Sequence, residues 1–366
     1  MVADLKHEGH SSRLIPQIEL LRVIALAGIF SFHLWSVDPQ VVHSGLVGKT
    51  MGTAASYGYL GVMIFNFITG FVLALPHLGP QHKPPLSYTN FLRRRFLRIC
   101  PKYYVALSVW TLALIFSRSA NTAGLLPSYL AHLTFLHSIF PTTFFAIVPA
   151  YWWLGLLAQF YLMFPLILCG FIRIGSARAC LITCMVCWGF WLFLDHLSHP
   201  GNPLALINYM IYYNLPVRLP EFAVGMWLAS AWQRESTTGK EGPTHSRLTP
   251  EYLIFFCLAL LFALSGSTFL SLQALPLRHI HLVSWCFVFT VILVLSKWSI
   301  KAGHIQVVAR IAAASYSIYL LHQPLLGYAN RLVSGFLNPM PEFVLLFFLI
   351  GSISFGLAVA LDKLVA

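Results

Sequence analysis

The sequence predicts an all-α polytopic transmembrane helical bundle of about ten spans, N-in and C-in. Three observations carry that expectation. The 366 residues are 58% apolar and only 9% charged, against about 25% charged residues in soluble domains. The apolar runs are long enough to cross roughly 30 Å of hydrocarbon as helices. The basic residues lie between those runs and favour alternate loops. A soluble fold of this composition would expose large apolar patches and aggregate.

Hydropathy places the spans at about 18–36, 56–76, 103–118, 150–172, 179–196, 206–231, 252–271, 279–297, 306–328 and 342–362. The first follows Lys6 and Arg13, and no small-residue cleavage site comes after it, so it reads as a retained span. The segment 125–141 is apolar but short and carries Pro127, His132, His137 and Pro141. It is either an eleventh span or a segment at the interface. Charge decides. If the N-terminus is inside and 125–141 does not cross, seventeen of the 23 Lys and Arg residues fall inside. Only Lys49, Arg118, Arg278 and Arg331 fall outside, and Arg22 and Arg218 lie within spans. A crossing at 125–141 would erase most of that bias, so the ten-span reading stands. The domain organisation expected is a cytoplasmic N-terminal segment at 1–17 and one membrane domain at 18–366. The polar loop 232–251 is too short to fold alone, and no internal repeat is visible.

The net charge of +12 does not point to nucleic acid. The basic residues sit in loops suited to an anionic leaflet, and no soluble basic domain hosts them. The seven cysteines lie in or beside apolar stretches. Cys180, Cys184 and Cys187 share a helical stripe, but no His or carboxylate accompanies them in the span, so they read as packing residues and no metal site is expected.

Ionisable groups inside spans are costly and therefore mark candidate sites. Glu19 and Arg22 are three residues apart, on one face of the first span, and can neutralise each other. His33 lies eleven residues beyond Arg22, about three turns and roughly 16 Å along the same face. Arg93, Arg94, Arg95 and Arg98, followed by Lys102, read in two ways. They are an orientation signal at a membrane surface, or a phosphate site that exploits the bidentate donors of arginine. Arg218 and Glu221 repeat the three-residue spacing beside Pro216 and Pro220, which suggests a broken helix packed against protein or a water-filled cavity. His322, in the stretch that also carries Tyr316 and Tyr319, falls in the same outer layer as His33.

These stretches together resemble the acyltransferase-3 family of integral-membrane acyltransferases. IELLRVIALAGIFSFH is similar to its opening motif of an acid, an arginine and, after ten intervening residues, a histidine, with Glu19 where Asp is usual. GYLGVMIFNFITGF at 58–71 resembles its glycine-rich second-span motif, with Thr69 in the usual Ser position. RRFLRICPKYY at 94–104 is similar to its Arg-Arg-x-x-Arg segment. WWLGLLAQFYLMFPLI at 152–167, RLPEFAVGMWLA at 218–229 and SYSIYLLHQP at 315–324 resemble three further segments in the right order.

The resemblance covers about residues 15–360. It implies a multi-pass protein of the cell membrane that transfers an acyl group, commonly acetyl, from cytoplasmic acyl-CoA to a hydroxyl of an extracytoplasmic glycan, glycolipid or other envelope acceptor. Acyl-CoA would be a co-substrate, with no permanently bound cofactor. By motif match His33 is the catalytic histidine, with Arg22 its paired residue on the CoA path and Glu19 beside it. Arg94, Arg95 and Arg98, with Lys102, would hold the CoA phosphates. Arg218, Glu221, Tyr316, Tyr319 and His322 are further cavity candidates. Two departures stand out. Met63 and Leu157 occupy positions where the family usually has acids, which implies either a divergent branch or lost catalysis. In the leading mechanism His33 is a general base for the acceptor hydroxyl; in its variant His33 is a nucleophile that forms an acyl-imidazole. A carrier or transport-like module using the same cavity is the reading from a different class.

Overall fold

The computed structural model describes residues 15–78, 87–117, 122–198, 203–237, 256–257, 259–261, 275–295, 302–333 and 336–365. Among them the helices are α1 (Pro16–Val37), α2 (Gly45–Ser56), α3 (Leu60–Ala74), α4 (Tyr88–Phe116), α5 (Thr122–Leu133) and α6 (Trp152–Ile174). They continue with α7 (Ser176–Leu197), α8 (Pro203–Tyr212), α9 (Leu215–Thr237), α10 (Leu275–Leu295), α11 (Ala302–Val333) and α12 (Pro339–Leu364). No strand occurs among the described residues.

Seven of the described helical stretches are long and apolar enough to cross a membrane: Pro16–Val37, Gly45–Ala74, Tyr88–Phe116, Pro149–Ile174, Ser176–Leu197, Pro276–Val294 and Pro339–Leu364. Two expected spans fall short of that apolarity because of what they bury. α9 carries Arg218 and Glu221, and α11 carries Ser315, Ser317 and His322. The expected span 252–271 lies almost wholly outside the described residues. So do Lys6, Arg13, Lys83, Arg118, Lys240, Arg247, Lys297 and Lys301 of the charge count.

Pairwise contacts fix the helix directions. α1 runs with α11: Leu26 packs in one cluster with Ala314 and Ile318, and the Phe30 ring lies 5.8 Å from His322. α4 runs with α11 too, since Tyr316 donates to the Ile99 carbonyl (3.1 Å) and Trp110 to the Leu320 carbonyl (3.2 Å). α3 runs with α9, from Asn66 at Glu221 to Leu75 at Gln233. α9 in turn runs with α10, from Glu221 at His279 to Trp227 at Phe287. α6 opposes α4, with Tyr103 at Tyr151 and Phe91 at Phe164. α12 opposes α11, with Ser317 bonded to Asp362 and Leu326 packed beside Phe343. The expected spans 1, 3 and 9 therefore share one direction, and 2, 4, 6, 8 and 10 the other. A chain crossing a bilayer in sequence order has this alternation. Arg22, Arg94, Arg98 and Lys102 gather at one end, called here the basic end, and His33 lies towards the other.

The segment 125–141 does not run the length of the bundle. α5 folds back along α4, with Ser108 bonded to Tyr129 (2.8 Å) and Tyr104 donating to the Leu133 carbonyl (2.8 Å). The chain then returns to the start of α6, beside α11. Phe135 (φ 59°) and Ile147 (φ 64°) take left-handed backbone at the two ends of this return. Such backbone costs about 1–3 kcal/mol per non-glycine residue and persists only under tertiary constraint. Gln159 supplies part of that constraint. Its amide nitrogen donates to Ser138 (3.2 Å) and Asn214 (2.5 Å), and its oxygen accepts from the Leu215 N–H (3.0 Å).

Glycines set the closest crossings. A Cβ on Gly61 would lie 2.3 Å from the Ala25 carbonyl oxygen of α1. One on Gly70 would lie 2.1 Å from the Phe222 oxygen, and one on Gly225 2.0 Å from the Phe67 oxygen. Small residues at helix crossings let backbones approach where lipid gives no hydrophobic drive for association. Here they bring α3 against α1 on one side and α9 on the other, which places the polar residues of all three helices in one interior.

Candidate active site

Three groups of polar side chains occupy that interior. At the basic end Arg22 donates to both oxygens of Glu19 (3.0 and 3.1 Å), the pair expected from the spacing. Arg95 stacks over Phe91 and Tyr161 at 5.5 and 5.9 Å. The Tyr161 hydroxyl lies within electrostatic range of Arg22, Arg95 and Arg98 together. Arg94 and Arg98 are exposed, and no described residue pairs with them. Lys102 differs from these arginines: its ammonium is 2.7 Å from Asp362, a carboxylate that also accepts from Ser317. A nearby cavity of about 330 Å³ has mostly apolar walls, including Phe91, Phe164 and Leu168.

The second group surrounds His33, which is half-buried. Gln323 lies 3.2 Å from its Nδ1. The backbone N–H of Ala150 donates to Gln323 Oε1 (2.7 Å), so the other end of that amide, its NH2, faces the histidine. An NH2 group only donates. His33 Nδ1 is therefore the acceptor, and the ring hydrogen sits on Nε2. The His322 ring centroid is 5.1 Å from that of His33, which places both in the shared layer the sequence suggested. His322 Nδ1 lies 2.9 Å from the Tyr319 carbonyl, which can only accept. Its hydrogen is thus on Nδ1, and its buried Nε2 has no partner among the described residues. The Tyr319 hydroxyl donates to the Ala150 carbonyl, and Tyr151 donates to the Leu320 carbonyl (2.8 Å). The start of α6 is therefore fastened to α11 directly beneath the two histidines.

The third group is wholly buried. Arg218 donates to Glu221 (2.9 Å) and to the Tyr212 carbonyl (2.9 Å), and its guanidinium lies 4.4 Å from the centre of the Tyr212 ring. The other oxygen of Glu221 accepts from Asn66 (2.5 Å), and His279 Nε2 lies 3.3 Å from Glu221. Asn66 in turn accepts from the Trp153 indole (2.8 Å). The Trp153 ring packs 5.3 Å from Tyr319. A continuous chain of side chains thus joins Glu221 to the histidine layer.

The structure therefore brings His33, His322 and Tyr319 together, and separately gathers Arg22 with Arg95 and Arg98. Arg22 and Glu19 do not touch His33; they belong to the basic end. Gln323, Asn66, Trp153 and His279 complete the site and were not singled out from the sequence. Amides and an indole in an apolar helix carry no distinctive spacing, and their partners stand up to 290 residues away. Met63 and Leu157 are buried core residues at 1% and 4% exposure. Beside Met63 the acid is Glu221, bonded to Asn66 one turn further along α3. The seven cysteines are free thiols. Among the described residues no group of three or more His, Cys, Asp or Glu side chains is placed to hold a metal.

The profile of the family described as "Acyltransferase domain" matches residues 15–362, so the match takes in all three groups. The chain belongs to this acyltransferase family. It is 25% identical over 337 residues to "Acyltransferase MdmB" of Streptomyces mycarofaciens, covering 88% of this chain and 81% of that protein. It is 24% identical over 344 residues to "O-acetyltransferase OatA" of Staphylococcus aureus, covering 88% of this chain and 52% of OatA. It is 24% identical over 277 residues to "Putative peptidoglycan O-acetyltransferase YrhL" of Bacillus subtilis, covering 69% of this chain and 39% of YrhL. The chain thus spans about half the length of OatA and less of YrhL. No solved structure matches it.

Proposed function

We propose that the protein is an acyl-CoA-dependent O-acyltransferase of the cytoplasmic membrane, which moves an acetyl-sized group to a hydroxyl on an envelope molecule. The observation that carries this reading is the separation of two unlike ends. Arg94 and Arg98, exposed and unpaired among the described residues, suit the phosphates of a CoA entering at the basic end. His33, held by Gln323, stands about three turns above Arg22, within reach of an extended pantetheine arm. The names of OatA and YrhL describe O-acetyl transfer, which supports an oxygen acceptor.

His33 acts as the general base. The lone pair that takes the hydroxyl proton is that of Nδ1, so the acceptor hydroxyl replaces the Gln323 amide in that hydrogen bond. The alcohol oxygen then bonds to the thioester carbon, the carbon–sulfur bond breaks, and the departing thiolate receives the proton from His33. Base assistance of this kind is typically worth about 10²–10⁴-fold in rate. Until the acceptor arrives, Gln323, fixed at its far end by the Ala150 N–H, keeps the hydrogen on Nε2 and the Nδ1 lone pair free to accept.

Ester-linked acyl groups released by mild base from the envelope of cells carrying the wild type or His33→Ala test the reading. The expected result is loss of those groups in the variant. Unchanged acylation removes His33 from the mechanism. Wild-type cells with no acylation but altered export of envelope material would instead support a carrier.

A further inference from the structure

A second cavity, of about 340 Å³, lies at the His33 end between α4, the return before α6, and α11. Its walls include Trp110, Pro149, Gln323, Tyr328 and Arg331. The volume is at the lower end of the roughly 300–1,000 Å³ found for small-molecule sites, enough for one compact head group.

Three features of the walls specify what fits. Gln323 lines the cavity and is also the side chain that holds His33, so one wall of the cavity is in direct contact with the ring. Trp110 already donates its indole hydrogen to the Leu320 carbonyl (3.2 Å), so it offers the cavity ring surface only, and Tyr328 adds a second ring. Arg331 is exposed and lies 6.0 Å from the Tyr328 ring centre. No carboxylate pairs with it among the described residues. Arg22 and Arg218, by contrast, each have a glutamate three residues away. An unneutralised guanidinium beside aromatic surface attracts an anion.

We infer that this cavity receives the acyl acceptor, and that the acceptor is a negatively charged alcohol with a saturated ring. The ring lies on Trp110 and Tyr328, the negative group pairs with Arg331, and the hydroxyl takes the place of the Gln323 amide on His33. The inference rests on the acyl-transfer reading above and names the acceptor class for the same site. The transfer keeps the balance already given: proton to His33 Nδ1, oxygen to the acyl carbon, thiolate out and reprotonated.

Two probes that differ only at C6 test it, methyl β-D-glucuronoside with a carboxylate and methyl β-D-glucoside with a hydroxymethyl group. Their binding to the full chain in phosphatidylcholine nanodiscs is measured by calorimetry, which needs no turnover. The wild type is expected to hold the glucuronoside about tenfold tighter, the size of one charge-assisted hydrogen bond. Arg331→Gln should bring the two within about twofold and leave the glucoside unchanged, while Arg331→Lys keeps most of the preference. Equal binding of both probes to the wild type, no binding of either, or equal weakening of both by Arg331→Gln overturns the inference. Thiol release from acetyl-CoA separates this failure from that of the broader reading. Charge preference without release overturns acyl transfer, and release without charge preference overturns the acceptor assignment.

Discussion

Two Arg–Glu pairs stand at the same three-residue spacing on different helices, and the bundle treats them differently. Glu19 and Arg22 in α1 retain 10% and 22% side-chain exposure, and Arg22 shares its surroundings with the arginines around Tyr161. Glu221 and Arg218 in α9 retain 0% and 4%, and each has further partners: Asn66 and His279 for the acid, the Tyr212 carbonyl and ring for the base. A pair near water gains little from its mutual attraction and gives up little when separated. A pair in the interior is costly to break, because the survivor is left charged and dry. The first can release its arginine to a ligand phosphate; the second works as a structural tie between α3, α9 and α10.

Glu221→Ala breaks the comparison most severely. It leaves Arg218 buried without its acid and should lower stability by about 3–5 kcal/mol, read as a large fall in the thermal unfolding temperature in detergent. The double variant Glu221→Ala with Arg218→Met should recover part of that loss, since removing both charges also removes the desolvation cost. Gly225→Ala attacks the same tie from the backbone. Its new Cβ meets the Phe67 carbonyl at 2.0 Å, so α3 and α9 must part, with an expected cost of about 1–3 kcal/mol on the same measurement. Arg22→Ala should cost less stability than Glu221→Ala, because this pair keeps some exposure, yet raise the acyl-CoA KM by roughly tenfold through the loss of one charged contact. The smallest effect belongs to Lys102→Met. Asp362 already neutralises this lysine at 2.7 Å, so the acyl-CoA KM should move by less than about twofold; a tenfold rise would return Lys102 to the phosphate site.

The bundle was largely legible because lipid imposes simple rules. Apolar length and loop charge sufficed for α1, α3, α4, α6, α7, α10 and α12, and the two Arg–Glu pairs followed from helical periodicity. The charge count also excluded a crossing at 125–141. It gave no sign that α5 turns back along α4, because that path depends on Tyr104, Ser108 and Gln159, whose partners are set only by tertiary packing. The site was legible where chemistry is concentrated in one residue, as at His33, His322 and Arg218. It was not legible at Gln323 or Asn66, neutral amides whose importance comes from what they touch: the His33 ring in one case, and Trp153 and Glu221 in the other. Lys102 shows the reverse case. Its place in a basic run suggested a phosphate contact, and only the fold brings Asp362 to it from 260 residues further along the chain.

The central claim is that donor and His33 meet across the bundle, with the donor entering at the basic end. Acyl-CoA does not cross membranes unaided, so sealed vesicles of each orientation test this directly by the appearance of free CoA thiol. Inside-out vesicles holding the wild type and an enclosed hydroxyl acceptor should release thiol from added acetyl-CoA, whereas right-side-out vesicles and vesicles with His33→Ala should not. Thiol release by right-side-out vesicles, or by the His33→Ala protein, would contradict the account.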